Sequence, residues 1–237
     1  MAGLQLKAKK DAAAVKEGGS TFITTSGVYD AVIDFVSLEE TEKGAVRFNL
    51  NLDVNGNKQT IYGNVIQNTD GSENEIGMRL LNKLFVLAGF ADGQEPDIDT
   101  ETHKVGKDQK AQDFTVITDL SGMPIKIQIK EKFSKYNGEI KQSREPYNFF
   151  RAEDGATAAE IVEAETGKAV KFGDQLAKIL AKEATTKPLY VENKQTGEPA
   201  PTDAEVLQFL ASRGTASSTP TASSVTPPKK KLFGQPK

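Results

Sequence analysis

The chain has 237 residues, of which 27% are charged and 37% hydrophobic, and its formal net charge is −3. It has no cysteine and a single histidine, His103, which argues against disulfides, thiolate nucleophiles and multi-histidine metal sites. No glycine-rich phosphate motif with its lysine occurs either. We therefore expect no enzymatic activity and no cofactor. The lack of cysteine and of an apolar leader or membrane span favours the cytoplasm.

Three strands are predicted near the start, after a loose basic arm over residues 1–20. Alternation of apolar and polar residues predicts strands over 28–36 and 45–54, with a turn at 41–44 between them. The pair Asn55-Gly56 then predicts a tight hairpin into a strand over 58–66, because both positions tolerate a positive φ. The three strands should form an antiparallel meander.

A helix is predicted next, because Leu80, Leu81 and Leu84 share one face at helical spacing. Asn74 is positioned to cap its start, and Gly89 to end it. The polar segment 92–113 that follows, with His103 inside it, is predicted to be a solvated loop. Strands within 114–133 and at 145–150 follow, with a hairpin turn at residues 136–138 between them.

Three strands, a helix and two further strands is the order of an oligonucleotide-binding (OB) barrel. The predicted fold is therefore mainly β with added helices: a five-stranded, OB-like β-barrel with a helix between strands three and four. The core should span 21–151, followed by a helical extension over 152–213 that packs on it. Thr157 with Glu160, and Thr202 with Glu205, are candidate capping boxes in that extension. Residues 214–237 are predicted to be a disordered linker and basic tail.

The segment Lys126–Arg151 gathers charge and aromatic rings. It holds seven basic and three acidic residues, a net charge of +4, and five of the 17 aromatic residues of the chain. In an OB barrel the loop between strands four and five borders the ligand surface. Rings there can stack on unpaired bases for about 1–3 kcal/mol each, while cations follow the phosphates. The predicted DNA-binding residues are Lys126, Lys130, Lys132, Phe133, Lys135, Tyr136, Lys141, Arg144, Tyr147 and Phe149, with Arg47 and Tyr62 on the polar face of strands two and three.

A structural interpretation of the same segment stays open at this point. Exposed hairpins are often rich in lysine for solubility, and aromatic residues near a strand end often belong to the core. Adjacent residues of a strand point to opposite sides, so at least one of Tyr147, Phe149 and Phe150 must point inwards.

The stretch from "GVYDAVIDFV" at residue 27 to "NTDG" at 71, followed by "IGMRLLNKLFVLAGF" at 76–90, resembles the OB-fold single-stranded-DNA-binding proteins of tailed bacteriophages. The shared pattern is a Gly-x-Tyr strand, a turn, a strand running to Asn-Gly, a third strand and a helix ending in Ala-Gly. It covers roughly residues 21–150. The resemblance implies coating of single strands in phage replication and recombination, within the host bacterial cytoplasm and without catalysis.

The end of the chain departs from that family, in which many members carry an acidic tail that binds replication partners. Here the tail contains Lys229, Lys230, Lys231, Leu232 and Phe233. We interpret this segment as a docking peptide for replication or recombination proteins. Extra phosphate contacts and a purely solubilising role are the alternatives.

Two other functions remain open from the sequence. The chain could be a phage protein-interaction module that acts on a replication enzyme, with the aromatic hairpin as its docking knob. It could also be a strand-annealing recombination mediator, which would bind single strands but act as a ring or filament.

Overall fold

The computed structural model describes residues 22–106, 108–182 and 186–212. The predicted arm, residues 1–20, and the predicted tail, residues 214–237, therefore lie outside the described residues. The described elements are β1 Gly27–Glu40, β2 Val46–Val54, β3 Asn57–Gln67, α1 Glu75–Leu87, β4 Ile98–Val105, β5 Lys110–Ile117, β6 Pro124–Tyr136, β7 Glu139–Arg151, α2 Ala158–Glu165, α3 Asp174–Leu180, β8 Leu189–Tyr190 and α4 Asp203–Ser212.

The first three strands form the predicted antiparallel meander. β2 pairs with β1 on one side and with β3 on the other. Asn55 and Gly56 have φ of 54° and 83°, which confirms the tight turn between β2 and β3. The alternation in β2 places Phe48, Leu50 and Leu52 in the core.

The long first strand, β1, bends and therefore pairs with two parts of the sheet. An irregularity in its pairing with β2 falls between Ile33 and Phe35, and a bulge of this kind turns a strand. Before it, residues 27–32 pair with β6; beyond it, residues 36–38 pair with β5. The bend therefore lets one strand hold both the β6–β7 hairpin and the β4–β5 hairpin.

The class predicted from the sequence, mainly β with added helices, is confirmed. Strands β1, β2, β3, β6 and β7, with α1 between β3 and β6, follow the predicted order, and the β4–β5 hairpin is inserted after α1. The described ladders run β3-β2-β1-β6-β7, and β3 lies beside β7. Among the described residues no ladder joins β3 to β7, so hydrogen bonds do not close the sheet into the predicted barrel.

Residues 98–117 correct the expectation of a solvated loop. β4 and β5 pair antiparallel over their whole lengths, from Ile98 opposite Ile117 to Val105 opposite Lys110. Polar residues can form such a hairpin when one of its strands also pairs with the rest of the sheet. Here β5 pairs with β1.

Helix α1 covers one side of the core through Leu80, Leu81 and Leu84. Its predicted cap is confirmed, since the Asn74 side chain accepts a hydrogen bond from the Gly77 N–H. Gly77 also allows the helix to approach β3, because a Cβ at this position would lie 1.9 Å from the Val65 carbonyl oxygen.

The segment after β7 packs back onto the β6–β7 hairpin. The predicted capping box of Thr157 and Glu160 is present at the start of α2. β8 pairs with β6, and the N–H groups of Asn137 and Gly138 at the hairpin tip donate to Glu198 at 2.9 and 2.6 Å. Part of the hairpin surface is therefore covered by the chain itself.

Candidate nucleic-acid interface

The outer face of the β1–β2–β3 meander is polar, because side chains alternate along each strand. We call it the polar face. It comprises Ser37, Glu39, Arg47, Asn49, Asn51, Thr60 and Tyr62, which lie opposite one another in the register of the three strands, with Tyr62 opposite Asn49 and Thr60 opposite Asn51. The β4–β5 hairpin rises beside this face and leaves a groove of about 590 Å³ between them.

The floor of this groove is a network of amides, a hydroxyl and a carboxylate. Glu39 accepts hydrogen bonds from the Arg47 guanidinium at 2.8–3.1 Å and from the Asn49 amide at 2.7 Å. Burial by itself would raise the pKa of Glu39, but the hydrogen bonds from Arg47 and Asn49 outweigh it and lower that pKa below its ordinary value. The carboxylate is thus held ionised and Arg47 is held in place.

One acceptor on this floor has no partner in the described part of the chain. Asn49 is only 5% exposed, yet its Oδ1 makes no hydrogen bond there. Buried polar atoms are nearly always paired, so this atom is an exception, but it has almost no accessible surface and is not open to a ligand in this structure.

Tyr62 stands above the floor with a largely open ring, 60% exposed. The Arg47 guanidinium carbon lies 5.2 Å from the centre of that ring, a cation–π distance. On its other side Tyr62 borders a second groove of about 450 Å³, between β3 and β7, which Arg144 also lines. Three predicted residues that are far apart in sequence, Arg47, Tyr62 and Arg144, are thereby brought together.

Sequence reasoning missed the ring cluster beneath the β4–β5 hairpin. The His103 ring stacks on the Phe35 ring with centroids 3.7 Å apart, and the Phe114 ring lies 5.2 Å from the Phe35 ring. His103 Nε2 also lies 2.6 Å from the Glu101 carboxylate. In the sequence, Glu101, His103 and Val105 alternate with Thr102 and Lys104. This period of two is typical of a strand and could have predicted one here. Through this cluster the β4–β5 hairpin packs on β1 beside the polar face.

The aromatic residues of the β6–β7 hairpin divide into two groups. Tyr136 and Tyr147 are 45% and 59% exposed and remain predicted contacts. Phe133 and Phe149 are 0% exposed, which corrects the expectation that their rings meet a ligand. Phe149 joins the main core.

Phe133 is covered by the segment that follows the core. Its ring meets Tyr190 and Phe209 edge-on, at 6.0 and 6.2 Å. The backbone nitrogen of Val191 also donates to the Phe133 carbonyl oxygen at 3.0 Å.

The cations of the same hairpin are largely engaged by carboxylates. The pairs are Lys126 with Asp30, Lys132 with Glu145, Lys135 with Glu205 and Lys141 with Glu139. Two of these acids, Asp30 and Glu205, come from outside the hairpin, so the net charge of +4 counted along the sequence overstates the local charge. Lys130 is buried, and this burial lowers its pKa. The predicted tail contacts, Lys229–Phe233, lie outside the described residues.

No three acidic or histidine side chains are arranged to hold a metal ion within the described residues. None of the helices in that part of the chain is long and apolar enough to cross a membrane.

No protein-family model matches the sequence, and no curated protein is similar to it. Among solved structures, the chain is similar to yeast RPA bound to ssDNA, with 12% identity over 73% of this chain and 99% of that chain. The TM-score of this pair is 0.23, which is too low to establish a shared fold.

Proposed function

We propose that the chain binds single-stranded DNA with little base preference, along the polar face and its two grooves. The observation that carries this proposal is the Tyr62 ring, open to solvent beside Arg47 on the polar face. An exposed ring accepts any base by stacking, and a neighbouring guanidinium attracts the phosphate that joins two bases.

Each part of the groove has a role in this binding mode. Tyr62 supplies the stacking platform. Arg47 and Arg144 lie on either side of Tyr62 and contact the backbone. An adjoining groove carries Lys104 and Lys58, of which Lys58 pairs with Asp34 of the same groove.

The biological role proposed for this binding is the coating of single strands in phage replication or recombination, without catalysis. It rests on the sequence resemblance over residues 21–150 and on the order of strands and helix. The tail segment Lys229–Phe233 remains a predicted docking peptide for replication or recombination proteins.

The direct test is titration of a fluorescent oligonucleotide with the full-length protein at several salt concentrations. Tyr62→Ala should weaken binding by about 1–3 kcal/mol, because a stacked base is lost. Tyr62→Phe is the matched control, since it keeps the ring and should bind like the unchanged protein.

The salt dependence provides a second criterion in the same titration. Each phosphate neutralised on a single strand contributes about −0.7 to the slope of log affinity against log salt. Arg47→Ala should therefore flatten the slope. Absence of binding at low salt, or a salt-independent affinity, would exclude this function and favour a protein-interaction module; pairing of complementary strands by the protein would instead indicate an annealing factor.

A further inference from the structure

A second surface lies between α1 and α2. We call it the α1–α2 cleft. It has a volume of about 430 Å³ and is lined by Asn82, Phe85, Val86, Phe90, Ala91, Asp92, Gly93, Gln94, Val162 and Glu165. None of these residues contributes to the polar face or its grooves.

The apolar floor of the cleft is produced by the way α1 ends. The N–H of Gly89 donates to the Val86 carbonyl and that of Phe90 to the Phe85 carbonyl, the two bonds of a Schellman motif. This turn folds Phe90 back onto Phe85, and the two rings stack with centroids 4.9 Å apart. Val162 of α2 borders the same cleft and is 46% exposed. An open cleft walled by two rings and a branched aliphatic residue is suited to bury apolar side chains.

The rim of the cleft is acidic. Asp92, just after α1, lies at one edge of it. Glu165, the last residue of α2, lies at the other edge. A ligand for this site should therefore be an apolar segment that carries positive charge.

A segment with this composition lies near the end of the chain, outside the described residues. The sequence from 226 to 237 contains four lysines and no acid, and three of the lysines immediately precede Leu232 and Phe233. We propose that Leu232 and Phe233 insert into the α1–α2 cleft of the same molecule, with Lys229–Lys231 against its acidic rim. The contact adds an intramolecular site to the protein and does not depend on DNA binding.

The tether between the last described residue and this segment is long enough. Sixteen residues separate Ser212 from Lys229, and an extended chain of that length spans on the order of 50 Å. A compact domain of this size has a radius of gyration of roughly 16 Å. A short tether also keeps the local concentration of the segment high, on the order of millimolar, which favours the same molecule over a second copy.

The absence of cysteine makes a direct test simple, because one introduced cysteine is the sole labelling site. Full-length protein carrying Gln235→Cys receives a nitroxide label, and its amide NMR signals are compared with the label oxidised and reduced. We expect the oxidised label to weaken the amide signals of Phe90 and Val162 by paramagnetic relaxation and to weaken those of α4 little. Even losses over the whole surface would overturn the proposal.

Three variants of the labelled protein decide whether the contact is the proposed one. The double substitution of Leu232→Ser with Phe233→Ser should restore the NMR signals of the cleft. The single substitution Val162→Lys should restore them too. Leu207→Lys on α4 is the matched control, since Leu207 is also exposed and lies outside the cleft, and it should leave the losses unchanged. Losses that persist in both cleft-directed variants would overturn the proposal.

The same label distinguishes docking of the tail within one molecule from docking onto a second copy. An isotope-enriched chain without label is mixed with a labelled chain of natural isotope content. The proposal expects no loss at the cleft in the mixture. Loss there would assign the cleft to the tail of a second copy and overturn docking within one molecule.

Discussion

Replacement of Phe133 by alanine distinguishes a core residue from a DNA contact. The ring is 0% exposed and packs edge-on against Tyr190 and Phe209. Truncating a buried phenylalanine costs about 3–5 kcal/mol, because it removes buried apolar surface and leaves a cavity. Each edge-on ring contact contributes about 0.5–1.5 kcal/mol of the interaction that is lost. We therefore expect Phe133→Ala to lower the free energy of unfolding by at least about 3 kcal/mol.

Urea unfolding followed by circular dichroism measures this change, and oligonucleotide titration at low temperature measures the affinity of the protein that remains folded. Phe133→Leu is the matched control: it keeps most of the volume and should cost less than about 1.5 kcal/mol. Both variants should bind DNA within about threefold of the unchanged protein, well below the 1.4 kcal/mol that a tenfold loss represents. A large loss of affinity with unchanged stability would refute the placement of Phe133 in the core.

Two further predictions concern contacts that the fold creates. Gly77→Ala should lower the free energy of unfolding by about 1–3 kcal/mol, because the added methyl group would meet the Val65 carbonyl; helix propensity alone favours alanine, so equal or higher stability in urea unfolding would contradict the close approach of α1 to β3. Hydrogen bonds from Lys135 and Thr202 lower the pKa of Glu205 from 4.5 to about 2. Because the folded-state pKa is the lower one, the stabilisation is complete above about pH 4.5 and is lost as the pH falls towards 2, and the stability difference between the unchanged protein and Glu205→Gln should shrink over that interval. A difference that is constant with pH would show that the pair does not stabilise the fold.

The sequence by itself determined the features that depend on a few neighbouring residues. The Asn55-Gly56 turn needs only two residues that tolerate a positive φ, and the Asn74 cap needs one side chain within reach of the next turn of backbone. The alternation in β2 and β3 shows which side chains share a face, so Arg47 and Tyr62 could be assigned to the polar side before the strands were assembled. These features gave the order of strands and helix, and with it the fold class.

The tertiary structure decided which side of each strand is covered. Phe133 and Tyr136 lie three residues apart on one strand, and alternation shows only that they point to opposite sides. Phe133 is buried because Tyr190 and Phe209, more than fifty residues later, pack on that side. In the same way Glu205 reaches Lys135 only after the chain has folded back. The resulting ion pair offsets a positive charge that the sequence of the hairpin alone would count as free. Burial and ion pairing depend on residues distant in sequence, and local spacing carries no information about where those residues come to lie.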